Sequence, residues 1–372
     1  MARAITKSMA SRGSNAKSLD ATETLLKELT EINGIAGSEK EVAKAMEKHL
    51  KAITAVSYDR LGSIICRKDG QSKAPRVMLA GHMDEVGFLV KTITKEGFIK
   101  FIPIGGWFSQ VILGQRVVVK TRDGEIFGVV GSKPPHELDD EERKKVVQIK
   151  DMHIDVGATR GFDVEKTLGV RVGDPIIPWS PFQVLGNPKT YLAKAWDDRI
   201  GCAMMIEVLR RLTRERHPNS VFAVGTVQEE VGLRGATTSA AVVDPDVAFA
   251  LDVSIAHDTP SFGLEEVEAL GSGPAIFVYD RSMVPNRNLL DMTIDLATKH
   301  KIPYHLTTID KGGTDTGKIH MNKAGVPSLV IGVATRYIHS HVGIIHRADY
   351  DNAVKLIMAL VMALDARTVA RL

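Results

Sequence analysis

The sequence predicts an α/β fold that a β-rich segment interrupts. In the second half of the chain, near-continuous apolar strands alternate with helical patterns, which is typical of a sheet covered by helices on both faces. Between residues 92 and 188, strand-type residues instead surround hairpin signals such as Asp123-Gly124. With 372 residues, the chain is long enough for two domains.

The individual elements follow from the spacing of apolar residues. Val42, Ala45, Met46 and Leu50 recur at helical spacing and predict an early helix. The apolar runs 63–66 and 76–80 predict two strands. The later elements are predicted as helix 198–212, strand 220–227, strand 246–251, helix 286–300, strand 326–333 and a final helix through 353–364.

The chain therefore divides into three parts. Residues 1–18 are basic, rich in serine and free of acidic residues, which favours a disordered tail, with a transit peptide as the alternative. Residues 19–91 and 189–372 form the predicted α/β domain. Residues 92–188 form the inserted β-rich domain, whose charged run at 137–145 we expect to be a solvated loop or a short helix.

The composition restricts the partners and the compartment. A net charge of +3 gives no reason to expect nucleic acid. Because no apolar run approaches the roughly 20 residues of a membrane helix, we expect no membrane partner. The two cysteines, Cys66 and Cys202, lie in apolar segments and exclude a disulfide framework. Buried thiols indicate a reducing compartment, and we expect the protein to be cytoplasmic.

Polar side chains collect where the predicted strands end. Ligand sites in open α/β sheets form beyond the carboxyl ends of the strands. We therefore expect two kinds of residue to lie together at one edge of the sheet. Those that follow predicted strands are His82, Asp84, Glu229, Glu230, Asp252 and His339, and those at the start of the helix near residue 198 are Asp197 and Asp198.

This set of side chains indicates a metal site. Imidazoles combined with carboxylates suit Zn²⁺, Co²⁺ or Mn²⁺ and fit a Ca²⁺ or Mg²⁺ cage poorly. A bridging carboxylate would build a two-metal site with ions about 3.5–4 Å apart, and the cations would offset the repulsion between the adjacent Glu229 and Glu230. In the His82-x-Asp84 spacing, we expect the carboxylate to orient the imidazole.

The motifs GHMDEVG, AWDDRIG, QEEVGLRGA, ALDVS and RYIHS resemble the M42 family of metallo-aminopeptidases, the glutamyl aminopeptidase or TET group. Some members were once labelled endoglucanases. The resemblance spans nearly the whole chain after the tail. It implies a mixed-sheet dimetal peptidase domain interrupted by a PDZ-like β-barrel insert. It further implies removal of N-terminal residues from peptide substrates, dimerisation through the insert and assembly of dimers into a homododecamer.

The resemblance also implies roles for the candidate residues. Two divalent ions, Zn²⁺ or Co²⁺, would be held in each subunit. His82 and Asp252 would bind one ion, Glu230 and His339 the other, and Asp197 rather than Asp198 would bridge them. Glu229 would be the general base that takes a proton from the water activated by both metals, and Asp84 would orient His82.

Two loops carry further expectations. The segment KGGTDTGKIH resembles a family loop near the substrate and makes Asp315 a substrate-binding candidate, although a glycine turn with Asp315 at a helix N-terminus is the alternative. After RYIHS, relatives often carry Pro and Glu where this chain has His341 and Gly343. We expect His341 and His346 to be neutral surface changes, the alternative being a perturbed substrate pocket or quaternary contact.

Other function classes fit the residues less well. A deacylase or carboxypeptidase would need an arginine near the metals, for which Arg199, Arg234 and Arg336 are the candidates. A glycosidase would leave the histidines without a role. A non-catalytic assembly protein of the same fold could lose its base freely, but Glu229 is present.

Overall fold

The structure is a computed structural model that describes residues 18–262 and 268–372. The predicted disordered tail lies outside these residues except for Ser18. The strands of the described ranges are β1 Ala55–Tyr58, β2 Ile64–Asp69, β3 Arg76–His82, β4 Gly87–Ile93, β5 Ile99–Ile104, β6 Arg116–Lys120, β7 Glu125–Gly131, β8 His153–Asp155, β9 Pro175–Pro178, β10 Gln183–Val184, β11 Thr190–Ala193, β12 Ser220–Thr226, β13 Val247–Ile255, β14 Ala275–Asp280, β15 His305–Ile309, β16 Ser328–Thr335 and β17 Gly343–His346. The α-helices are α1 Ala21–Glu31, α2 Lys40–Leu50, α3 Asp140–Arg143, α4 Val164–Leu168, α5 Trp196–Arg211, α6 Arg234–Val243, α7 Arg287–Lys299, α8 Thr316–Ile319, α9 Arg347–Ala363 and α10 Ala366–Val369.

The large sheet is mixed and has eight strands in the order β1-β2-β12-β3-β13-β16-β14-β15. Its four central strands, from β12 to β16, are parallel neighbours, whereas β2 and β14 join them antiparallel. The carboxyl ends of the four parallel strands consequently meet at one edge. This arrangement confirms the predicted α/β sheet.

Helices cover both faces of this sheet. Helices α1, α2, α5, α7 and α9 pack on one face. On the other face, Ala236 and Ala240 of α6 and Ile319 of α8 pack against Met78 and Phe222. Every residue of β12 and of β16 is buried, which explains why these strands read as unbroken apolar runs.

The insert is a closed six-stranded barrel in the order β4-β5-β8-β7-β6-β9. It has its own core, which includes Phe88, Val117 and Ile154, and the Asp123-Gly124 turn joins β6 to β7 as predicted. The charged run contains the short exposed helix α3. Strand β4 spans residue 92, so the barrel begins before that boundary, and the division into domains stays a prediction.

In a small antiparallel sheet, β10-β11-β17, strand β17 pairs with β11, which directly precedes α5. The indole Nε1 of Trp196 donates a hydrogen bond to the carbonyl oxygen of Gly343 at 3.1 Å. The loop between β16 and β17 is thereby held beside the first turn of α5. None of the described helices is long and apolar enough to cross a membrane.

Candidate metal centre

Two groups of side chains that could hold a metal ion lie at the carboxyl edge of the central strands. The first ligand group is His82, Asp197 and Asp252, and the second ligand group is Asp197, Glu230 and His339. Within each group, one ligand atom from every residue lies within 4.8 Å of the others. Strands β3, β12, β13 and β16 position the four unshared residues, and the first turn of α5 supplies Asp197.

Asp197 faces both groups with different oxygens. Its Oδ1 lies 2.8 Å from Nε2 of His82, and its Oδ2 lies 3.3 Å from Nε2 of His339. The neighbouring Asp198 points elsewhere, because it accepts hydrogen bonds from the backbone N–H groups of His82 and Gly201 at 3.0 and 2.9 Å. Of the two aspartates, only Asp197 is therefore placed to bridge.

Main-chain carbonyls orient both histidines. Nδ1 of His82 donates to the carbonyl oxygen of Asp84 at 2.9 Å, and Nδ1 of His339 donates to that of Gly106 at 2.8 Å. Each bond orients the ring so that Nε2 faces the cavity and the carboxylate of Asp197. Gly106 follows β5 in the barrel, and no motif in the sequence predicts that a residue of the barrel contacts the candidate metal centre.

Asp84 differs from its expected position. Its carboxylate lies 3.8 Å from Nδ1 of His82, because the imidazole lies against the peptide carbonyl of the same residue. The two carboxylate oxygens accept hydrogen bonds from the backbone N–H groups of Glu229 and Glu230 at 3.0 and 3.1 Å. The carboxylate therefore supports the backbone of the paired glutamates directly, and the role of Asp84 in orienting His82 stays a prediction.

The two adjacent glutamates point to different places. Oε2 of Glu230 lies 3.6 Å from Nε2 of His339, and its buried Oε1 has no hydrogen-bond partner among the described residues. Glu229 belongs to neither ligand group, although its Oε2 lies 3.9 Å from Nε2 of His82. Both side chains line a cavity of about 880 Å³ together with the five residues of the ligand groups.

The crowded carboxylates shift one another's ionisation. Burial raises the pKa of Glu230 to about 8, with a further increase from Asp197. Burial likewise raises the pKa of Asp252 to about 7, and burial together with neighbouring carboxylates raises the pKa of Glu229. Such groups need protons or cations to balance their charge. The unpartnered Oε1 of Glu230, the Nε2 atoms that face the cavity and the mixed N/O donors all fit divalent ions of the zinc or cobalt type.

The arrangement agrees with comparisons to known proteins. The sequence pattern of the M42 glutamyl aminopeptidase family matches residues 62–356. The chain belongs to the M42 peptidase family. It is 36% identical over 351 residues to the glutamyl aminopeptidase of Lactococcus lactis, covering 93% of this chain and 98% of that protein.

Solved structures extend the comparison to the fold. A TET aminopeptidase from a marine sediment archaeon of the Thaumarchaeota superposes with a TM-score of 0.91 at 47% identity, covering 95% of this chain and 99% of that one. The TET1 peptidase of Pyrococcus horikoshii, which can assemble into a tetrahedron or a large octahedral shell, gives 0.82 at 33% identity, covering 92% and 100%. The mixed sheet with a closed barrel is thus the fold of TET peptidases.

In this M42 peptidase, Asp315 does not reach the cavity surface. Its side chain is 2% exposed, and its carboxylate accepts a hydrogen bond from the hydroxyl of Thr226. The preceding residues of the same loop, from Gly312 to Thr314, do line the cavity. Asp315 directly precedes α8, so its location matches the alternative of a helix N-terminus better than substrate contact.

Glu39 is a structural contributor that the sequence did not reveal. It is buried, and its Oε1 accepts hydrogen bonds from the backbone N–H groups of Gly37 and Gln228 at 2.8 and 3.0 Å. Together with Asp84, it fixes three consecutive N–H groups, those of residues 228–230. The surrounding Ser38 to Glu41 pattern reads as the start of a helix, which conceals this long-range role.

His341 is not a surface residue, and that expectation was wrong. It is 2% exposed, and its ring contacts the ring of Trp107 edge to face at 5.5 Å. His346 instead lies at the start of α9, where its Nδ1 accepts a hydrogen bond from the backbone N–H of Ala348. The change in the HSHVG loop therefore affects a packed contact between the loop and the barrel.

The candidate arginines are engaged away from the cavity. Arg199 is fully buried and donates to the carbonyl oxygens of Met83 and Leu29, both at 2.7 Å, and of Gly34 at 3.0 Å. Arg336 forms a two-pronged ion pair with Asp258. Among the described residues that line the cavity, none is an arginine. Arg199 and Arg336 therefore stabilise the structure around the site.

We expect Arg199→Ala to lower the free energy of unfolding by about 3–5 kcal/mol, because it leaves several buried carbonyl oxygens without donors. Urea unfolding monitored by circular dichroism measures the change. Arg234→Ala, which removes an exposed guanidinium bonded to Gln228, should leave the midpoint unchanged. If Arg199→Ala instead leaves the urea midpoint unchanged and raises KM, Arg199 binds substrate and the structural role is contradicted.

Proposed function

We propose that this chain is a metal-dependent aminopeptidase that removes N-terminal residues from peptides. The observation that carries the proposal is the sharing of Asp197 between two ligand groups in a cavity that also contains Glu229. One Zn²⁺ or Co²⁺ ion would be held by His82 and Asp252, a second by Glu230 and His339, and Asp197 would contact both. Membership of the M42 family supports this proposal.

Glu229 is the proposed general base. Two such ions lower the pKa of water and polarise a peptide carbonyl. The Glu229 carboxylate lies beside His82 but belongs to neither ligand group, so it can accept the proton of the attacking water and donate it to the leaving amine. Asp84 and Glu39 act as positioning residues, since they fix the backbone from which Glu229 projects.

The charge of the cavity favours a substrate with a free α-amino group. Beyond the ligand groups, its lining includes the carboxylates of Glu268, Asp280 and Asp310 and a single lysine, Lys311. An acidic cavity attracts the ammonium group of a peptide N-terminus and disfavours a free carboxylate. Without a lining arginine among the described residues, the deacylase or carboxypeptidase alternative gains no support.

The proposal extends to assembly and location. We propose that the chain self-associates through its barrel and that the dimers build a dodecamer, as the tetrahedral assembly of the TET1 neighbour suggests. The barrel surface offers apolar side chains for such contacts, including Phe127 and Phe108, each 59% exposed. Two free buried cysteines support a reducing compartment such as the cytoplasm.

The activity test uses leucyl-, glutamyl- and lysyl-p-nitroanilide. We expect release of p-nitroaniline from at least one substrate, loss of release after EDTA, and recovery with Co²⁺, because the ligand groups need an ion to act. N-acetylated versions of the same substrates are the matched controls and should stay uncleaved. Absence of metal-dependent release from every unblocked substrate, or equal cleavage of the blocked ones, would contradict the proposal.

A further inference from the structure

The two metal-ligand histidines are supported very differently. The side chain of His82 is 3% exposed at the end of β3, and its orienting carbonyl comes from Asp84, two residues away. The side chain of His339 is 37% exposed in the loop between β16 and β17. His339 also lines both the main cavity and a second one of about 450 Å³. Packing therefore confines its ring less, and the bond to Gly106 must fix it.

That bond comes from residues 105–107, here named the barrel turn, which follow β5. Gly105 has a φ of +80°, and a Cβ there would lie 2.6 Å from Cγ1 of Val86 and 2.9 Å from Oε2 of Glu230. Only glycine allows this approach. A Cβ on Gly106 would lie 3.1 Å from Nδ1 of His339. The barrel turn thus lies against both unshared residues of the second ligand group.

Trp107 holds the barrel turn in place through contacts with the barrel and with the loop that carries His339. Its Nε1 donates a hydrogen bond to the carbonyl oxygen of Gly87 at 3.0 Å, and its ring stacks on Phe88 with centroids 4.6 Å apart. Phe88 belongs to the barrel core. On its other side, Trp107 contacts His341, two residues after His339. One side chain therefore connects the barrel wall, the barrel turn and the loop that carries His339.

We propose that Trp107 is a positioning residue for the second ligand group, and that through it the barrel insert completes the metal centre. The inference rests on the proposed function only in requiring that His339 binds a metal ion. It gives the insert a role in the site itself, beyond self-association. Displacing the barrel turn should weaken the ion at Glu230 and His339 and leave the ion at His82 and Asp252 in place.

Calorimetric titration of the metal-free full-length protein with Zn²⁺ tests this selectivity. Wild type should show two binding events, and His339→Ala identifies the event that belongs to the second ligand group. Trp107→Ala should weaken that event by about tenfold or more, the usual effect of losing a residue that supports a ligand, and leave the other within about twofold. Trp107→Phe keeps the stacking and loses the Nε1 bond, so a smaller selective weakening is expected.

The control is Phe98→Ala. Phe98 is a half-buried aromatic residue of the same barrel that contacts a histidine, His153, edge to face at 4.8 Å. It should leave both events unchanged. Unchanged binding in Trp107→Ala, or equal weakening of both events, would overturn the inference; if that variant does not fold, Trp107→Phe decides by the same criterion. A wild type that binds no ion would instead refute the proposed function.

Discussion

Glu229→Gln is expected to lose most turnover while retaining both metal ions. The amide keeps the size of the side chain but cannot accept a proton, and a positioned general base typically contributes about 10²–10⁴-fold to rate. Because Glu229 belongs to neither ligand group, metal content should not change. The measurements are kcat on the best p-nitroanilide and the metal content of each subunit by mass spectrometry.

Glu230→Gln is the matched variant, since it makes the same change one residue along the chain. Oε2 of Glu230 lies 3.6 Å from Nε2 of His339, so this variant should bind one ion less. The opposite pattern, with metal lost and turnover partly kept in Glu229→Gln, would exchange the roles of the two glutamates.

Asp197→Ala is expected to remove both ions and to reduce activity to the level of the EDTA-treated protein. Its two oxygens face His82 and His339 separately, so one substitution affects both ligand groups. Metal content should fall from two ions per subunit toward none. In contrast, Asp252→Ala and His339→Ala should each remove one ion, because each residue belongs to a single group.

Asp198→Asn provides the control for this series. Asp198 is as deeply buried as a core residue and supports the backbone of His82 and Gly201. We expect two bound ions and reduced stability, because the amide retains only one accepting oxygen. Retention of one ion in Asp197→Ala would mean that Asp197 does not bridge.

The positions of the candidate ligand side chains could be predicted from the sequence because one physical rule governs them. Parallel strands end at the same edge, so polar residues that follow apolar strands converge there. His82 ends β3, and Glu230 and His339 follow β12 and β16. Asp252 lies three residues before the end of β13, because that strand continues beyond the predicted end at residue 251. The choice between Asp197 and Asp198 needed the resemblance, because adjacent aspartates at a helix start look equivalent in sequence.

The supporting contacts could not be predicted in the same way. The groups that orient His82 and His339 are main-chain carbonyls of Asp84 and Gly106, and every residue type has such a carbonyl. The bond between His339 and Gly106 joins residues that are 233 positions apart in the sequence, and Gly106 belongs to the insert. In hindsight the Gly105-Gly106-Trp107 sequence was a signal, since paired glycines often mark a close approach of the backbone.

The burial of individual loop residues could not be predicted from the sequence either. Asp315 and His341 lie in polar, glycine-containing loops, yet each is only 2% exposed. Local spacing indicates which face of a helix or strand is buried, but irregular segments have no such period. Asp315 was therefore expected at the cavity and His341 at the surface, and the structure places neither there.

The central claim is that one aspartate joins two metal positions in one cavity. An anomalous-scattering crystal structure of the protein loaded with Zn²⁺ tests it most directly. We predict two anomalous peaks per subunit, one bounded by His82, Asp197 and Asp252 and one bounded by Asp197, Glu230 and His339. A single peak, or a second peak that does not contact Asp197, would contradict the account.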